Sequence, residues 1–129
     1  MYFAVDAANG LPIFEQIVRQ VKFAVASGAV KTGEPIPSVR ELARELAINP
    51  NTVARAYRAL QDEGIIDAVR GLRLEVAAGA SERCRTQRQK LIRERLRQVL
   101  IEAKQSRLEI EEIRALFETE LSALTRNNP

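Results

Sequence analysis

The chain of 129 residues has no histidine, no tryptophan and a single cysteine. Lack of histidine removes the commonest general acid–base and the commonest metal ligand. A nucleophile–base pair, a glycine-rich phosphate loop and metal-ligand spacing are missing as well, so neither an enzyme nor a bound cofactor is expected. Cys84, being alone, cannot close an internal disulfide, which fits a reducing cytosol. No run of about 18 apolar residues is present, so no transmembrane helix is expected. The start, M-Y-F-A-V-D, lacks the basic segment and long apolar run of a signal peptide. Together these absences predict a cytoplasmic protein. Aromatics make up only 5% against 46% apolar residues. The core must therefore be aliphatic, which suits helices.

Charge is uneven along the chain. Residues 1–79 hold nine basic and nine acidic side chains; residues 80–129 hold eleven and eight, which leaves the net +3. Polyanion binding by the N-terminal part therefore has to rest on local placement. The informative run is 37–64, P-S-V-R-E-L-A-R-E-L-A-I-N-P-N-T-V-A-R-A-Y-R-A-L-Q-D-E-G. Ser38 followed three residues later by Glu41 is a capping box that starts a helix. Val39, Leu42, Ala43, Leu46 and Ala47 recur at helical spacing as its buried stripe. Asn49-Pro50 starts a second helix, since Asn caps well and Pro is favoured at the first helical position. Val53, Ala56, Tyr57 and Leu60 form its inward face. Asn51, Thr52, Arg55 and Arg58 are left outward, with no acid between Glu45 and Asp62. Such a helix can enter a DNA major groove and bond base edges.

Around this pair the order is legible. Phe3 and Val5 permit a short N-terminal strand, and Asn9-Gly10 is a turn signal. Pro12 opens a long amphipathic helix with Ile13, Phe14, Ile17, Val18, Val21 and Val25 inward, ending at Ser27-Gly28. Residues 29–37 form a loop stiffened by two prolines. Gly64 ends the second helix of the pair. Ile65-Ile66 and Leu72, Leu74, Val76 then make a small hairpin around Arg70-Gly71. Three helices followed by a hairpin is the winged-helix order. Arg70 and Arg73 at the wing tip can approach phosphates or the minor groove. The linker Ala77–Ala80 suggests domains at 1–78 and 79–129. Beyond it, one helix carries Leu91, Ile92, Leu96, Val99, Leu100 and Ala103. After a break near Gln105–Leu108, another carries Ile110, Ile113, Leu116, Phe117, Leu121 and Leu124. The pair should form an antiparallel αα-hairpin. Its spare apolar stripe is expected to meet the winged-helix domain and a second copy of the chain, the latter through Leu96, Val99, Ala103, Ile113, Phe117 and Leu121. The expected fold class is thus mostly α with a small β-hairpin wing.

The run from P-I-F-E-Q-I at residues 12–17 through P-S-V-R-E-L-A to N-P-N-T-V-A-R-A-Y-R-A-L resembles the DNA-binding domain of GntR-type bacterial transcription regulators. The short helical tail resembles the YtrA-type subfamily. The resemblance implies a homodimeric repressor or activator on double-stranded DNA with a palindromic operator, with contacts from Arg40, Asn49, Asn51, Thr52 and Arg55. Tyr57 matches the family's A-Y-R motif. The wing departs from the family pattern. Where a second glycine is usual, Arg73 stands, with Glu75 two residues on. Ser106-Arg107 stands where Leu-Gly is typical in the last turn.

Blander readings stand beside these. Arg40 can pair with Glu41 or Glu45. Asn49 can serve as a helix cap and nothing more. Arg58 can face solvent, and Tyr57 can be a packing residue with a wet tip. The basic run at 82–97 can track phosphates or form a solvated, partly salt-bridged face. Cys84 lies between Arg83 and Arg85, which favours the thiolate, though a plain surface thiol is the simpler expectation. A protein- or RNA-binding module is the rival function, separable by charge reversal at Arg55. The effector and the operator sequence are not written in these residues.

Overall fold

The computed structural model describes residues 3–69, 71 and 73–127. Among them the elements run α1 (Ile13–Ser27), α2 (Val39–Leu46), α3 (Pro50–Asp62), β1 (Ile66–Val69), β2 (Arg73–Val76), α4 (Ala80–Gln105) and α5 (Ile110–Asn127). Residues to Gln89 form one compact unit and those from Lys90 a second.

The first unit is built on α1. Ile17, Val21 and Val25 fall one turn apart and are fully buried. Gly28 closes the helix in the left-handed region at φ 83°, its N–H donating to the Val25 carbonyl. The stripe packs against Leu42 of α2 and Val53, Ala56, Tyr57 and Leu60 of α3 in an aliphatic core that also takes in Ile65, Ile66 and Val76. Lys22 was not anticipated there. It is 6% exposed, and its Nζ meets Glu63 Oε1 at 3.0 Å. The ion pair ties α1 to the end of α3.

The N-terminal strand expected at Phe3–Val5 does not form. Phe3 is buried in the core, but its neighbours bond to side chains instead of a partner strand. The Gln16 amide accepts from Asp6 N–H at 2.9 Å and donates to the carbonyls of Asp6 and Leu11. Gln20, one turn on, brackets Ala4 in the same manner. Two glutamines on a helix thus satisfy the backbone that a ladder would otherwise pair. A short 3₁₀ turn, Ala7–Asn9, follows.

β1 and β2 pair antiparallel from Ile66↔Val76 to Val69↔Arg73. The loop after α1 does more than connect. Gly33 N–H donates to Val76 O, Ile36 N–H to Leu74 O, and Val76 N–H to Glu34 O. It therefore lies along β2 as an irregular edge. Pro35 sits at the bridge to Glu75, where an edge tolerates the missing donor.

Packing of the first unit extends past the Ala77–Ala80 linker. Ala80 and Cys84, in the first turns of α4, are fully buried in the core. Arg83 Nη1 donates to the Gly64 carbonyl at 2.7 Å. Cys84 is therefore not a surface thiol. Burial is the main cause holding its pKa above the ordinary thiol value, with Glu63 adding to the rise and Lys22 and Arg83 opposing it. The thiolate expected from its arginine neighbours in sequence is disfavoured.

In the second unit α4 ends at Gln105 and α5 begins at Ile110. Arg107 takes the left-handed conformation at φ 69°, a region that favours glycine. Leu108 N–H returns to Ala103 O at 3.2 Å to close the turn.

Candidate nucleic-acid interface

α2 starts where Ser38 Oγ accepts from Glu41 N–H at 3.1 Å. It stops at Ala47, an alanine at φ 55°, ψ 47°, whose N–H returns to Ala43 and Arg44 carbonyls. Ile48 N–H bonds the Ala43 carbonyl and turns the chain. Asn49 caps α3, its Oδ1 accepting from Asn51 N–H at 2.8 Å, and Pro50 follows at the first helical position. Short helix, tight turn and capped second helix make up a helix-turn-helix.

On α3, Asn51, Arg55 and Arg58 are exposed and Thr52 is half-exposed. They share the surface opposite Val53, Ala56 and Leu60. Asn49 is exposed but its carbonyl oxygen is engaged as the cap. Arg40, in the first turn of α2, is exposed. Arg55 is arranged by more than its helix. Its Cζ lies 3.7 Å from the centroid of the Phe14 ring, on α1. Helical period alone places Phe14 inward and gives it no role at this face; an aromatic at the start of α1 is the one signal of it.

Tyr57 differs from the expectation of a wet tip. The residue is buried, and its hydroxyl donates to the Pro37 carbonyl at 2.8 Å. Burial pushes the phenol far above its usual pKa, with the Glu41 and Glu45 carboxylates adding to the shift. Its proton is committed to the Pro37 carbonyl in the loop before α2, which fixes how α2 enters. Arg73 is also engaged. Its Nε meets Oε1 of Glu75, two residues on along β2, at 3.1 Å. Arg70, the other wing-tip residue, lies outside the described residues. Between the hairpin and the start of α2 runs an open groove of about 550 Å³, lined in part by Ser38, Glu41 and Arg73.

Leu96, Val99, Phe117 and Leu121 are 43–56% exposed, while Ala103 and Ile113 are half-buried. From Lys90 on, no described residue is buried.

A helix-turn-helix preceded by α1 and followed by a two-stranded hairpin is a winged helix-turn-helix. Residues 13–76 match the family "Bacterial regulatory proteins, gntR family". The transcriptional repressor YtrA of Bacillus subtilis is 38% identical over 109 residues, 84% of each chain. Among solved structures, a transcriptional antiterminator from Listeria monocytogenes superposes with a TM-score of 0.66 at 31% identity, covering 93% of this chain and 90% of that one. YtrA from Sulfolobus acidocaldarius, a GntR-family transcription factor, gives 0.57 at 30% identity over 95% and 99%. The chain belongs to the GntR family and is a transcription regulator with a DNA-binding domain, not an enzyme.

Proposed function

We propose that this chain is a cytoplasmic homodimeric repressor that binds an inverted-repeat operator. The observation that carries the reading is the outer face of α3. From Pro50 to Gln61 it holds Asn51, Thr52, Arg55 and Arg58 without an acid, on a helix whose start is fixed by the Asn49 cap. A capped helix of that chemistry can lie in the major groove with its first turns at the base edges. Arg40 and Arg58 fix register on phosphates. The wing touches the adjacent groove through Arg70, and through Arg73 if DNA displaces Glu75.

In this reading residues 1–78 bind DNA and 79–129 hold the dimer. The apolar residues of α4 and α5, some more than half exposed, support a second copy as their cover. Charge supports it as well. Basic residues predominate on α4, whereas α5 carries Glu111, Glu112, Glu118 and Glu120 against Arg114 and Arg126. The repressor sign follows the Bacillus relative's name.

The test is binding to DNA from the gene's own promoter across a salt series, beside Arg55→Glu. Sequence-selective binding with a steep salt slope, lost in the variant, is the expected result. Equal binding by wild type and variant would overturn the assignment of α3.

A further inference from the structure

Arg55 carries a flexible side chain that has to be ordered before it can read anything. In the free chain its guanidinium already lies over the Phe14 ring, 3.7 Å from the centroid. Phe14 is half-buried and packed against the core, so the ring is a fixed platform. Arg55 is exposed one turn into α3. We propose that Phe14 is a positioning residue for DNA recognition, holding the Arg55 guanidinium stacked so that its donors are presented to the nucleic acid already oriented.

The geometry of the group makes this workable. A guanidinium stacks through its face, while its five N–H donors lie in the plane and point outward. Stacking on Phe14 and bidentate bonding to a guanine edge or a phosphate therefore use different parts of one group. Weak hydration of the guanidinium keeps the stack inexpensive, and rotamer freedom lost to it in the free protein is not lost again on binding. Lysine could supply the charge but not the planar stack. The inference rests on the reading of α3 given above.

The full chain is tested on a duplex that wild type selects from a random pool. Phe14→Leu keeps an apolar side chain but removes the ring; Phe14→Tyr keeps the ring. The ordering cost that the stack spares on binding corresponds to a loss of about two- to tenfold in affinity for Phe14→Leu. Wild-type affinity is expected for Phe14→Tyr, and no further loss when Phe14→Leu is added to Arg55→Ala. In the free protein the Arg55 δ-proton resonances should be shifted upfield by the ring, and return on Phe14→Leu. An equal loss from Phe14→Leu in both backgrounds would overturn the proposal, as would no loss or a gain in affinity. Unshifted Arg55 resonances in wild type would overturn it without any variant. If Arg55→Ala binds like wild type, the reading of α3 falls, and the positioning role falls with it.

Discussion

Replacing Gly64 with alanine should be among the costliest single-methyl additions in this chain. Gly64 follows α3 at φ +72°, and a β-carbon there would lie 2.4 Å from Arg83 Nη1. The clash is with the end of a flexible side chain, so Arg83 can retreat, but only by giving up its 2.7 Å bond to the Gly64 carbonyl. Two costs add. The left-handed conformation costs an alanine about 1–2 kcal/mol, less about 0.5 kcal/mol for the entropy glycine brings to the unfolded chain. Loss of a solvent-exposed, charge-assisted bond adds about 0.5–1 kcal/mol. The sum is about 2 kcal/mol, or about 10 °C in melting temperature for a unit of this size. Thermal unfolding followed by circular dichroism reads it. In an Arg83→Ala background the same change should cost only the conformational part, about 1 kcal/mol. Equal costs in the two backgrounds would refute the role given to the Arg83 bond, and a Gly64→Ala loss under about 0.5 kcal/mol would refute the strain.

Other outcomes follow from the same geometry. Ala47→Gly, which relieves the alanine at φ 55° in the helix-turn-helix turn, should raise stability by about 0.5 kcal/mol in urea unfolding. Glu63→Gln should destabilise more than Lys22→Met, by about 1–2 kcal/mol against less than about 1, because Lys22 is left charged and buried without its partner while Glu63 returns to water; chemical denaturation of both variants measures the difference. Cys84 should resist thiol reagents until the first unit unfolds. Its folded pKa is raised, so its contribution is full below the ordinary thiol pKa and is lost as pH rises through the folded value. A pH series of unfolding midpoints should therefore fall on the alkaline side, less steeply in Cys84→Ala.

Helices were legible because their signals are local. Ser38, Asn49-Pro50 and Gly28 mark ends through bonds made within a few residues, and the apolar periods of α1 and α3 name their own buried faces. What escaped depends on neighbours distant in sequence. The bonds from Gln16 and Gln20 that replace a strand, the pairing of residues 33–36 with β2, and the burial of Lys22 against Glu63 join segments no local pattern connects. Lys22 left one trace, since it falls beside Val18, Val25 and Ala26 on a helical face. Cys84 misled through its neighbours. Arg83 does favour the thiolate, but burial outweighs it, so depth in the core decided what adjacency in sequence could not. At the candidate interface, the outward set on α3 was readable from period alone, whereas Phe14 under Arg55 and the commitment of Tyr57 to Pro37 required the packing of α1 and α2.

The central claim is that two copies of this chain read a two-fold site through α3. The most direct test is selection from a random duplex pool by the wild-type protein, with the enriched sequences aligned. The account expects an inverted repeat whose half-site centres lie about 10 bp apart, one helical turn. Enrichment of a single unpaired half-site, of a direct repeat, or of no sequence at all would contradict it.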